Sequence, residues 1–248
     1  MMHSQNTQQG STLVVVLIML IIITIIGVVG VRQSMTSLNI ATNSQINELL
    51  RQSSDSAMLA LEKVGDLEQL STASGILGFV RQPENSNKEL VFCFKKNKGL
   101  AFNISEASMV EFTKTGVRHS TLGDRGFCQP SEPKDYTSQR NAVLTQIAIR
   151  RSTAGVLEPA FSNYVVGTDF ESARSQNNDR FTIYATSVLP SIGGAGKEEI
   201  YKCLSEHMSS NLDSSGGTVV TVSKCLENLG VPYITQVADY SYMVGFNQ

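Results

Sequence analysis

The sequence predicts an α+β protein: one long N-terminal helix, membrane-spanning in its first half and amphipathic in its second, packed on an antiparallel β-sheet head. Three observations predict it. The run from Leu13 to Val31 carries no charged residue, and the stretch from Gln33 to Val64 keeps a helical pattern with no Pro or Gly. Beyond Gly65 the texture changes to short apolar runs separated by turn residues. The expected organisation is a leader over residues 1–10, a long helix over 11–66 with its membrane segment at 13–31, and a β-rich head over 67–248.

The apolar run is long enough to cross a bilayer, since 1.5 Å per helical residue gives roughly 28 Å over these positions. Sixteen of its positions are Leu, Ile, Val or Met, interrupted only by Thr24, Gly27 and Gly30. At about 0.3 to 0.6 kcal/mol each, insertion is favoured by roughly 5 to 10 kcal/mol. A soluble core helix would show a polar face every few residues, and none occurs here. A cleaved secretory signal would want a basic start and a small-residue site after the apolar core. Here the small-residue pair, Gly10 and Ser11, precedes the core, and Arg32 follows it within a pattern that still reads as helix.

A short polar leader ending in Gly, then a polar pair, then the apolar segment, resembles the class III signal of type IV prepilins and pseudopilins. More narrowly, GSTLVVVLIMLIIITIIGVVGVRQS is similar to the start of PilX-type minor pilins, with Leu13, Val14, Thr24, Ile26, Gly27, Val28 and Arg32 where that pattern expects them. The resemblance covers about the first quarter of the chain and implies a pilin-like fold. It implies cleavage by prepilin peptidase between Gly10 and Ser11, N-methylation of Ser11, and a disulfide-closed region near the C-terminus of the head. It also implies other minor pilins, the major pilin, a tip adhesin and inner-membrane lipid as partners. Most pilins carry a glutamate at the fifth mature position, where this chain has Val15. In the family that carboxylate pairs with the N-terminal amine of the preceding subunit, and an unpaired one inside the apolar segment costs on the order of 3 kcal/mol. Val15 therefore suits a subunit with no predecessor, at the filament tip. The pseudopilin that caps type II secretion pseudopili shares the loss.

The charge balance, 20 basic against 22 acidic residues, gives no field that would draw nucleic acid. Cys93, Cys128, Cys203 and Cys225 all follow the apolar segment, and none forms C-x-x-C. In an oxidising space they read as two disulfides, most simply Cys93 with Cys128 and Cys203 with Cys225, although four cysteines allow three connectivities. Each bridge would contribute roughly 3 to 4 kcal/mol. The leader lacks Lys and Arg while Arg32 and Arg51 follow the span, which taken alone orients the head toward the cytoplasm. The cysteines and the cytoplasmic-facing peptidase implied by the resemblance favour the inner membrane with the head in the periplasm.

After the span, Met35, Leu38, Ile46, Leu49, Ala57, Ala60, Leu61 and Val64 make one apolar stripe, with Glu48, Arg51, Asp55 and Glu62 opposite. Strands are expected at Ile76 to Val80, Leu90 to Phe94, Ala101 to Ile104, Met109 to Thr113, Arg180 to Leu189, Glu198 to Leu204, Thr218 to Leu226 and over YITQVADYSYMV. Lys96 to Gly99 reads as a hairpin turn, Gly123 to Lys134 as a loop, the segment near Asn177 and Asp179 as a turn, and Pro190 to Gly196 as a turn. Ala142 to Arg150 fits a strand or helical turns equally. Ile192 to Glu199 lacks the first Gly and the Ser or Thr of a phosphate loop. With no nucleophile motif and no metal or cofactor signature, no enzyme is expected, and function rests on assembly. The competing readings are a type II secretion minor pseudopilin and a bitopic periplasmic sensor or anchored enzyme.

Overall fold

The structure is a computed structural model that describes residues 9–62, 75–95, 103–113, 116–119, 122–137, 140–152, 177–211 and 220–244. The chain divides into two compact units, Met1–Ile46 and Asn47–Gln248. Helix α1, Gln9–Glu62, runs through the division.

In the first unit the described residues are all helical. Every large apolar side chain of the predicted span is exposed, from Leu13 at 71% to Val31 at 57%. Water would charge heavily for that surface, whereas hydrocarbon or apolar helices of other subunits would not. The one hydroxyl in the span is satisfied within it, because Thr24 Oγ1 donates to the Ile21 carbonyl at 2.8 Å. At Gly27 and Gly30 an added Cβ would meet nothing, so no packing within the chain demands glycine there.

The second unit is a six-stranded antiparallel sheet in the order β3-β2-β1-β4-β5-β6. The strands are β1 (Lys88–Cys93), β2 (Ser108–Thr113), β3 (Gly116–Arg118), β4 (Leu144–Arg151), β5 (Asn177–Val188) and β6 (Tyr233–Val244). Short helices are α2 (Ile76–Arg81), α3 (Lys197–Glu206) and α4 (Val222–Asn228). Period-two alternation sends the two sets of side chains to opposite faces. Leu90, Phe92, Met109, Ile147, Ile149, Phe181, Ile183 and Ala185 pack with Ala57, Met58 and Leu61 of α1 and with Ile76 and Val80 of α2. Leu144, Val188 and Cys93 pack on the other side with Ile200, Cys203 and Leu204 of α3 and Val222 and Leu226 of α4.

The buried face of α1 is Leu50, Ser54, Ala57, Met58 and Leu61. The predicted stripe shares Ala57 and Leu61 with it. It differs in that Leu49 stays 41% exposed and Met35 and Leu38 more than that, while Val64 lies outside the described residues. Hydroxyls set the helix on the sheet: Ser53 Oγ lies 3.0 Å from Thr137 Oγ1 and 2.8 Å from Thr145 Oγ1. Ser54 Oγ lies 2.9 Å from Ser187 Oγ, which is itself 2.8 Å from Thr145 Oγ1.

Three expected strands are helices. Ile76 to Val80 is α2, because Ile76 and Val80, one turn apart, both enter the core. Glu198 to Leu204 lies in α3, where Ile200, Cys203 and Leu204 recur at steps of three and four and the Glu199 carboxylate accepts the Gly196 N–H at 2.9 Å. Of Thr218 to Leu226, residues 218–219 lie outside the described set; in the remainder Thr221 caps α4 through its hydroxyl and Val222 and Leu226 face the core one turn apart. Two further readings change. Ile104 begins a 3₁₀ turn, Ile104–Glu106, with residues 101–102 outside the described set, and the expected turn near Asn177 and Asp179 is the start of β5. The Lys96 to Gly99 hairpin lies outside the described residues. Ala142 to Arg150 resolves to strand β4, buried on both faces, which is why no alternation marked it.

The loop before β4 inserts tightly. A Cβ on Gly126 would stand 2.1 Å from the Val91 carbonyl oxygen and 2.2 Å from the Ser108 amide nitrogen, both backbone atoms. Gly126→Ala is expected to lower unfolding stability by at least about 2 kcal/mol, read from urea denaturation of the detergent-solubilised chain. An unchanged midpoint would show that the loop can withdraw at no cost.

Candidate assembly surfaces

Two surfaces can act, the apolar part of α1 and the head. Gly10 and Ser11 fall in the first turns of α1. Val15 follows one turn later, 51% exposed among Leu13, Val14, Val16 and Leu17, so its side chain points outward to whatever surrounds the helix. Among the described residues this is the one helix long and apolar enough to cross a membrane.

In the head, both expected disulfides are formed. Cys93–Cys128 has its Cα atoms 4.8 Å apart and ties β1 to the inserted loop; Cys203–Cys225, at 5.5 Å, ties α3 to α4. Polar bonds reinforce the loop and fix α3 to β4. Gln146 of β4 accepts the Cys128 N–H at 3.2 Å and donates to the Leu204 carbonyl at 2.8 Å. Asp135 accepts the Gln129 N–H at 2.9 Å and pairs with Lys95 at 2.8 Å.

A buried charged group was not legible in the sequence. Glu89 of β1 is fully buried and accepts the Ser209 and Ser210 N–H groups at 2.8 Å each, with the Ser210 hydroxyl as a third donor. The charge of Arg150, 3% exposed on the neighbouring strand β4, adds a weaker pull toward the ionised form. Burial nonetheless holds the Glu89 carboxyl above the usual carboxylate range, against those donors and Arg150. A lone Glu at the start of an apolar strand carried one available signal: it falls on a face otherwise reserved for Val91 and Cys93.

On the α1 side of the sheet, Gln236 Nε2 donates to Asp55 at 2.7 Å and the Tyr240 hydroxyl donates to Glu62 at 2.6 Å. Burial, and then the bond to Glu62, push the Tyr240 phenol up to about 12. His207 is held below its usual range by burial. Among the described residues no three His, Cys, Asp or Glu side chains gather as a metal site. The Gly-rich turn before α3 has its helix N-terminus occupied by the Glu199 carboxylate.

An exposed apolar N-terminal helix followed by a six-stranded antiparallel sheet is a pilin-like α+β arrangement. Residues 9–58 match the family described as PilX N-terminal, so over these residues the helix is similar to the N-terminal helix of that family. The match and the exposed apolar helix fit a membrane-anchored pilus component. No curated protein and no solved structure is significantly similar to the chain.

Proposed function

We propose that this chain is a minor pilin that primes type IV pilus assembly and sits at the pilus tip. It is made as a prepilin, cut between Gly10 and Ser11, methylated on Ser11 and held in the inner membrane by Leu13 to Val31 with its head in the periplasm. The apolar helix then packs against the same helices of other minor pilins and of the major pilin, and the head meets other subunits and a tip adhesin. The observation that carries the reading is the exposed apolar helix, with Val15 at the position where the resemblance to prepilins implies an acid. A subunit without a predecessor gains nothing from a carboxylate there and avoids about 3 kcal/mol of unpaired charge.

The test is Val15→Glu in the native cell. Sheared filament yield is expected to fall several-fold with membrane levels of the protein unchanged. Wild-type piliation would count against the tip position. The same valine favours a second reading, the capping subunit of a type II secretion pseudopilus. A deletion strain separates the two: loss of twitching with normal secretion supports the pilus, and the reverse supports the secretion machine.

A further inference from the structure

We infer that β6 is the docking edge of the head, which adds an extended, basic strand of a neighbouring pilin subunit to the sheet. The two edges of the sheet are built differently. At one end β3 is three residues long, begins with Gly116 and carries Arg118, which pairs with Glu111. Short length and charge are the usual means of blunting an edge. At the other end β6 runs Tyr233–Val244, twelve residues, paired with β5 at every position without a bulge. It contains no Pro, Lys or Arg. Among the described residues no strand lies beyond it.

The ladder fixes which backbone groups of β6 are free for a partner. The Leu189 N–H donates to the Pro232 carbonyl at 3.0 Å, which makes that pair a hydrogen-bonded one. Antiparallel pairs alternate, so Ile234, Gln236, Ala238 and Tyr240 bond inward to Ser187, Ala185, Ile183 and Phe181. Thr235, Val237 and Asp239 therefore turn their N–H and C=O groups outward. Val237, at the centre, leaves 56% of its surface exposed. An added strand would satisfy those groups and cover that side chain, the usual economy of β-augmentation.

Charge selects the occupant. On the α1 face of the seam, Asp55 and Glu62 bond to the strand through Gln236 and Tyr240, with Arg51 one turn before Asp55. On the opposite face, the one that carries Val237, the Asp239 carboxylate accepts the Thr182 hydroxyl at 2.6 Å. Lys224, paired with Glu227, and Arg180, opposite Ser241, lie toward the two ends of the strand. A second copy pairing edge to edge would crowd two such acidic sets into one seam, which is unfavourable. A strand carrying Lys or Arg would meet the seam with the opposite charge.

The neighbouring subunit rests on the pilin reading, so the test keeps the two apart. Full-length variants are expressed in the native cell and scored for incorporation into sheared filaments, with the melting temperature of each purified chain measured in detergent. Val237→Pro removes one outward N–H and no inward bond; it is expected to keep the wild-type melting temperature and lose incorporation at least tenfold, whereas Val237→Ala keeps it. Val237→Lys, which leaves the backbone donors in place, is expected to lose incorporation likewise, and Val237→Glu to retain it. Equal incorporation of the Lys and Glu variants, or wild-type incorporation of a folded Pro variant, overturns the proposal. A purified wild-type dimer that Val237→Lys dissolves overturns the choice of occupant. If a chain with two arginines in its apolar segment still enters filaments, the pilin reading fails; if it is excluded while the Pro variant enters normally, the strand proposal alone fails.

Discussion

A chain carrying Ile22→Arg together with Ile25→Arg is expected to leave the membrane fraction while its head stays folded. Each exchange replaces a residue favoured by about 0.3 to 0.6 kcal/mol with one that costs about 2.5 to 3.5 kcal/mol at the centre of a span. The pair therefore removes roughly 6 to 8 kcal/mol, against a total insertion preference of roughly 5 to 10 kcal/mol for the whole segment. Both positions lie in the first unit, and the α1 residues buried in the head core begin at Leu50. Carbonate extraction of membranes, with the disulfides and melting of the head as a folding control, reads both outcomes. Full membrane retention would show that something other than this segment holds the protein there.

Glu89→Ala is expected to destabilise the head by about 2 to 4 kcal/mol, because it leaves the Ser209 and Ser210 N–H groups without an acceptor. Glu89→Gln keeps the shape and should cost less. The glutamine variant also isolates a pH effect. A carboxyl whose folded-state pKa is raised binds its proton more tightly in the native state. Its contribution is present in full below the unfolded-state value and is lost as pH rises through the folded-state value. Urea midpoints of the wild-type chain should thus fall as pH climbs above the ordinary carboxylate range, and Glu89→Gln should flatten that slope. A wild-type midpoint that rises over the same window would mean the donors and Arg150 outweigh burial.

The sequence discloses those elements whose periodicity is complete within a single segment. The span needs no tertiary context, since an uncharged run of that length has one stable solvent. Strands β1, β2, β5 and β6 alternate between a core face and another, and were legible at their centres. The helices α2 and α4 were not, because at six and seven residues each shows only one apolar repeat, and Val-rich runs such as VVTV read more strongly as strand. For α3 the signal was present: Ile200, Cys203 and Leu204 follow helical spacing behind two acidic residues. It was outweighed by the neighbouring strands.

The candidate surfaces divide in the same way. Val15 is informative from its position alone, and the cysteines from their order along the chain. Glu89 and the β6 edge depend on partners distant in sequence, Ser209 and Ser210 for one and the ladder to β5 for the other. No local pattern records which strand ends a sheet, and the outward amides of Thr235, Val237 and Asp239 follow only from the register.

Everything proposed for assembly begins with the polar leader being removed ahead of the apolar helix. The most direct measurement is the N-terminus of the protein recovered from the membrane fraction of its native cell, by intact mass and N-terminal sequencing. The account predicts a chain that starts at Ser11 with a methylated amine. A chain that still starts at Met1 would contradict it.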